Sequence, residues 1–183
     1  MPVAVGEGIR PERDAVRYRL DVVAFDVIDV VAFAGGWLFD RGAAGWDIAA
    51  LVANPGDSRP LRILGAEMVD LERVLASGGE GRRPDALAIA ADVIERDSRA
   101  HDGLIRALGD SGIEVVVWGE SWMSPPEHRV ERVVHRLSIA AQAFKAHAFA
   151  AAGHRDMAVE PTEIFRTDVS AFRPFGVDLT PVA

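Results

Sequence analysis

Between Val22 and Phe39 the chain is apolar at every position except Asp26, Asp29 and the pair Gly35–Gly36. So continuous an apolar run has to leave water, either in a bilayer or in a core covered on all sides. Two carboxylates near the centre of a spanning helix would cost about 2.5–3.5 kcal/mol each. The run is also short against the roughly 20 residues that cross a membrane. We therefore read it as a buried strand that passes directly into a buried helix, and expect no membrane partner.

The flanking residues support that reading. Arg17 to Phe25 alternates and then turns wholly apolar, as a strand entering a buried sheet does. Asp26 is placed to cap the following helix, and Asp29 lies near the positive end of its dipole. The helix runs to about Arg41, is hydrophobic nearly all round, and is punctuated by Gly42 and Gly45. Asp47 to Ala53 reads as a second strand, so the unit is a parallel crossover of right-handed sense.

Later signals are weaker. Asn54 to Pro60 is a turn-rich loop, Leu61 to Leu64 a short third strand and Met68 to Ala76 a short helix. Ser77 to Pro84 is a flexible break. Leu87, Ala91, Ile94, Ile105 and Leu108 recur at helical spacing. Ile113 to Trp118 is β-branched and bounded by glycine on both sides, hence a strand. Val130, Val133, Val134, Leu137, Ala141 and Phe144 fall on one helical arc, which predicts a helix over Glu127–Ala152. The expected fold is one three-layer α/β domain, Rossmann-like or flavodoxin-like, with a mostly parallel sheet of four to five strands. It spans 17–152, after a lead-in at 1–16 and before an irregular C-terminal arm at 153–183.

Composition excludes several functions. The chain has no cysteine, which removes disulfides, thiolate metal sites and a cysteine nucleophile. A formal charge of −8 makes nucleic acid an unlikely partner. The N-terminus shows no basic segment followed by an apolar one, so a cytoplasmic location is expected. Lys145 is the single lysine; every other basic residue except the histidines is arginine.

In sheets of this type ligands bind beyond the carboxyl ends of the strands. That rule nominates Asp26, Asp57, Glu120, Ser121, Trp122 and His128, with Asp29 and Asn54 beside them. Phosphate loops are absent: Ala24-Phe25-Asp26-Val27 has bulky side chains and an acid where glycines would be needed. Gly35–Gly36 lies too deep in the helix to open it, and signals close packing of the helix on the sheet. Gly119-Glu-Ser-Trp-Met123 lacks the second glycine of a nucleophile elbow. His128, Glu131 and His135 share a helical face without the tight spacing of a metal motif.

The predicted last helix is basic within an acidic chain: His128 to Arg155 carries a formal +4, and the remainder −12. Arg129, Arg132 and Arg136 form a stripe, while Ile139 and Phe149 fall off the core-facing arc. These five are the expected interface of a homodimer, and the stripe would also accept a small anionic ligand. The function expected is a soluble binding or regulatory domain with its site at the strand ends and no identified cofactor. The alternative is a magnesium-dependent enzyme acting on a phosphorylated small molecule, with Asp26, Asp57 and Glu120 as ligands; two carboxylates plus substrate oxygens suit that ion.

Overall fold

The computed structural model describes residues 17–78, 83–119, 130–168 and 178–182. The first crossover forms as the sequence predicts: β1 (Arg19–Asp26), α1 (Val27–Ala43) and β2 (Asp47–Asn54), with β1 and β2 parallel. Leu20, Val22 and Ala24 on β1 and Ala50 and Val52 on β2 are fully buried. Next come α2 (Arg59–Ile63), β3 (Ala66–Asp70), α3 (Leu71–Ala76), β4 (Ala86–Ala90), α4 (Ala91–Arg96), α5 (Ser98–Leu108) and β5 (Glu114–Trp118). The chain continues through β6 (Val130–Arg136), α6 (Ile139–Ala151), β7 (Thr162–Asp168) and β8 (Thr180–Pro181).

The eight strands among the described residues belong to one sheet in the order β3-β2-β1-β4-β5-β7-β6-β8. The pairings from β3 to β5 are parallel, and those joining β5, β7, β6 and β8 are antiparallel. Connections from β1 run one way along the sheet as far as β3, and the other way from β4 to β5. Right-handed crossovers then place α1 and α2 on one face and α4 with α5 on the other. α6 packs on α1 and α2.

This corrects the expected fold. The domain is α/β, but the sheet is mixed and eight-stranded, not a mostly parallel Rossmann-like or flavodoxin-like sheet of four to five strands. Nor is the segment after residue 152 an irregular arm, since β7 lies inside the sheet between β5 and β6. Three misread segments account for the difference. In β6, Val130, Val133, Val134 and Leu137 have helical spacing, yet the strand turns Val133 and His135 inward and leaves Arg132 and Arg136 exposed. In β7 the buried positions are Glu163, Phe165, Thr167 and Asp168, while Ile164 is exposed, so three polar residues hide the period-two pattern. β4 is Ala-Leu-Ala-Ile-Ala, whose alanines carry little strand propensity. Conversely Leu61–Leu64, expected as a strand, falls in α2 and the turn after it.

β7 meets α1 through a buried ion pair. Glu163 is 4% exposed and Lys145 of α6 is 2% exposed, with Nζ 2.6 Å from Oε1. The backbone N–H groups of Gly36 and Trp37, mid-helix in α1, each donate to one oxygen of Glu163 at 2.8 Å. Lys145 Nζ also donates to the Ala32 carbonyl at 2.7 Å, the acceptor Gly36 uses in an uninterrupted helix. Hence both charges are satisfied by main-chain groups as well as by each other, the condition under which a buried pair is tolerable. Gly36 is required here because a Cβ would overlap the Leu137 side chain. The close packing of Gly35–Gly36, expected against the sheet, is instead with Leu64 after α2 for Gly35 and with Leu137, just beyond β6, for Gly36.

A second buried group closes the other end of α1. Arg41 donates from Nη2 to Glu114 and from Nε to Asp178, both at 2.8 Å, and its guanidinium lies 4.3 Å and 4.4 Å from the ring centres of Trp37 and Trp46. Trp37 Nε1 donates to Asp178 at 2.7 Å. Burial alone would raise the Asp178 carboxyl, but the hydrogen bond and charge of Arg41, with Trp37, outweigh it and hold the group below its usual range. His135 places Nε2 2.8 Å from Asp40 and Nδ1 2.9 Å from the Asp178 carbonyl.

Gly36→Ala is expected to lower stability by about 1–3 kcal/mol through overpacking, read as a lower urea midpoint at unchanged slope. Lys145→Met leaves the Glu163 carboxylate buried without its cation and is expected to cost about 3–5 kcal/mol. In a double-mutant cycle with Glu163→Gln, the joint loss should fall short of the two single losses added together.

Candidate functional site

The carboxyl ends of the parallel strands carry the acidic residues that the sequence nominated first. β1 ends at Asp26, whose register partner on β2 is Asn54. Asn54 Nδ2 donates to Asp26 Oδ1 at 3.1 Å. Asp26 occupies the N-cap position of α1 with extended backbone, but its carboxylate makes no capping hydrogen bond. It is spent on Asn54 instead, so the two strand ends are tied side chain to side chain.

Asp29 lies in the first turn of α1 and is partly buried. Burial first, then the charges of Asp26 and Asp92, raise its carboxyl above the ordinary value. Asp92 comes from the first turn of α4, just past the end of β4. Three carboxylates from two strand–helix junctions therefore share one electrostatic neighbourhood. Phe25 covers the adjoining end of β1, with the Arg96 guanidinium 4.3 Å from its ring centre. Beyond β5, Gly119 has φ +100°, and a Cβ there would press on Ala91 at 3.2 Å. The chain leaving β5 consequently passes close to the α4 junction, and Arg166 of β7 donates to the Gly119 carbonyl.

The nominated residues divide into three groups. Asp26 sits at this edge. Asp57 is exposed in the loop after β2, where Oδ1 accepts from the Arg59 backbone N–H at 2.9 Å in an Asx-type turn. Glu120, Ser121, Trp122, His128 and Arg129 lie outside the described residues. Convergence of Asp26, Asp57 and Glu120 presupposed that β5 neighbours β1. Instead β4 separates them, leaving the ends of β1 and β5 two strand spacings, about 9–10 Å, apart. Among the described residues no three histidine, aspartate or glutamate side chains form a group that could hold a metal ion.

The expected basic helix also changes character. Arg132 and Arg136 are exposed, but they share a face of β6 by strand period two. Ile139 opens α6 and is 87% exposed; Phe149 is 2% exposed and belongs to the chain's own core. His135 is neither on a helix nor solvated, being buried against Asp40 and Asp178. Asp92 escaped the sequence reading because its segment reads as helix from Pro84 onward. The signal available was the five-residue small-apolar run before it, bounded by Pro84–Asp85.

No protein-family model matches the chain, and no curated protein matches it. Solved structures share its fold, two deacetylases among them. The A40926 pseudoaglycone deacetylase Dbv21 superposes with a TM-score of 0.56 at 12% identity, over 86% of this chain and 99% of that one. A triple mutant of a deacetylase of the teicoplanin biosynthetic pathway, Orf2*T, superposes with a TM-score of 0.54 at 11% identity, over 90% and 98%. At these identities the likeness is one of fold. No helix among the described residues is long and apolar enough to cross a membrane.

The raised Asp29 carboxyl has a definite sign in stability. A group that holds its proton more tightly when folded favours the folded state below its unfolded value, and loses that contribution as pH rises through the folded value. Asp29→Asn is therefore expected to raise the melting temperature at pH 7 relative to wild type. The advantage should shrink as pH falls through the raised folded value and disappear only below the ordinary aspartate range, where both side chains are neutral; melting curves from pH 7 downward check it.

Proposed function

We propose that the chain is a small-molecule-binding domain that holds a polar ligand at the carboxyl edge of β1, β2 and β4. The observation that carries this is the tied pair Asp26–Asn54 at the register-matched ends of β1 and β2, with Asp29 and Asp92 in the first turns of the two adjoining helices. This is the edge at which open parallel sheets receive ligands. A surface rich in carboxylates recognises hydrogen-bond donors, so the ligand class is a small molecule bearing an amine or several hydroxyls. Asp29, disfavoured as an anion by burial and then by the charges of Asp26 and Asp92, is the group with most to gain from a cationic amine. The same charges repel phosphate, which weighs against a phosphorylated substrate at this edge.

A second reading is hydrolysis of an acetyl group. Its support is that both similar structures are named as deacetylases. One experiment separates the two. A thermal-shift panel of amines, polyols, their acetylated counterparts and divalent ions should show stabilisation by an amine or polyol. About 2.7 kcal/mol is expected at 100 times the dissociation constant, and Asp29→Asn should abolish it. Acetate release, measured on the acetylated compounds with and without divalent ions, should stay at the blank. Sustained acetate release that Asp29→Asn removes would establish the second reading in place of the first.

A further inference from the structure

The amino ends of the same strands hold a different cavity. β2 begins at Asp47 immediately after the Gly45 turn, which has φ +94°, and α2 is only five residues long before Gly65, with φ +79°, ends it. So short a helix leaves the starts of β1, β2 and β3 uncovered between the end of α1 and the end of α2. The result is a groove of about 870 Å³. Apolar and aromatic residues, among them Ile48, Val69, Phe39 and Trp46, line it together with the charged Arg17, Arg19, Arg62, Asp47 and Glu67.

The three arginines are not equivalent. Arg19 donates to the buried Asp21 at 2.6 Å and is held in place. Arg17 faces Asp47 at 3.6 Å, both side chains well exposed, an arrangement that binds weakly and opens readily. Arg62 forms no ion pair with any described residue, although Glu67 also lines the groove. Trp46 is fixed from behind, its ring 4.4 Å from the Arg41 guanidinium and 5.1 Å from the Tyr18 ring. The groove thus combines a preorganised aromatic ring, apolar lining residues and a guanidinium that pairs with no described residue. A volume of this order suits a single small ligand, and a guanidinium fork matches a carboxylate.

We propose that this groove binds a small amphipathic anion, a carboxylate on an apolar chain, with the carboxylate on Arg62 and the chain against Trp46, Phe39 and Val69. The site lies at the opposite end of the strands from Asp26 and Asp29, so it neither needs nor implies the ligand proposed there.

Titration calorimetry of the full chain with decanoate tests it, with decylamine as the matched cation. Decanoate should bind saturably with a dissociation constant below about 1 mM, and decylamine should not. Arg62→Glu, a change at an exposed position, should weaken decanoate about tenfold or more. Arg132→Glu on β6 and Asp29→Asn at the other edge should leave it unchanged. The proposal is overturned if decanoate fails to bind, if decylamine binds as well, or if Arg62→Glu has no more effect than Arg132→Glu.

Discussion

The Glu163 carboxylate, lodged against two backbone N–H groups in the middle of α1, is the constraint on which the rest of the arrangement depends. A carboxylate at that depth is untenable without a cation, and Lys145 supplies it from α6 while also satisfying the Ala32 carbonyl. Three elements are thereby fixed to one point: α1 from the first crossover, and the late pair of α6 and the strand that follows it, β7. Gly36 lets Leu137 approach closely enough for the geometry to close. The second buried cation, Arg41, repeats the strategy one turn further along, joining α1 to Glu114 on β5 and to Asp178.

That reliance on buried charge explains how much of the molecule was legible beforehand. The first crossover can be read because β1 and the inner turns of α1 are buried by apolar side chains, and hydrophobic pattern reports apolar burial directly. β5 is legible for the same reason. β7 is not, since Glu163 and Thr167 face inward and Ile164 outward; its alternation is of burial rather than of hydrophobicity. In β6, Val130, Val133, Val134 and Leu137 imitate a helical arc, and the residue that breaks the imitation, His135, is buried only because Asp40 and Asp178 await it. A single lysine in a chain otherwise supplied with arginine was visible from the start. Its significance was not, because nothing local to residue 145 indicates a partner at residue 163.

The candidate site was partly legible on the same terms. Asp26 and Asp29 follow the strongest strand in the sequence, so the strand-end rule finds them. Asp92 needs β4 to be recognised first, and the insertion of β4 between β1 and β5 also decides which carboxylates are neighbours. At one end of the parallel strands Asp26, Asp29 and Asp92 gather; at the other, the guanidinium groups of Arg17, Arg19 and Arg62 and the rings of Phe39 and Trp46 stand with Asp47 and Glu67. Helices cover the parallel strands on both faces, so the strand ends are where that part of the sheet meets solvent.

The position of β7 has a consequence for how the chain is made. β5 has β4 on one side, and on the other side its partner is a strand that leaves the ribosome some fifty residues later. β6 precedes β7 in synthesis yet is held to β5 only through it. During that interval the growing chain carries an unpaired strand edge, an open template for pairing with another chain. A premature stop before residue 162 would make the exposure permanent, so the late segment acts within the fold as the strand that seals it against its own aggregation.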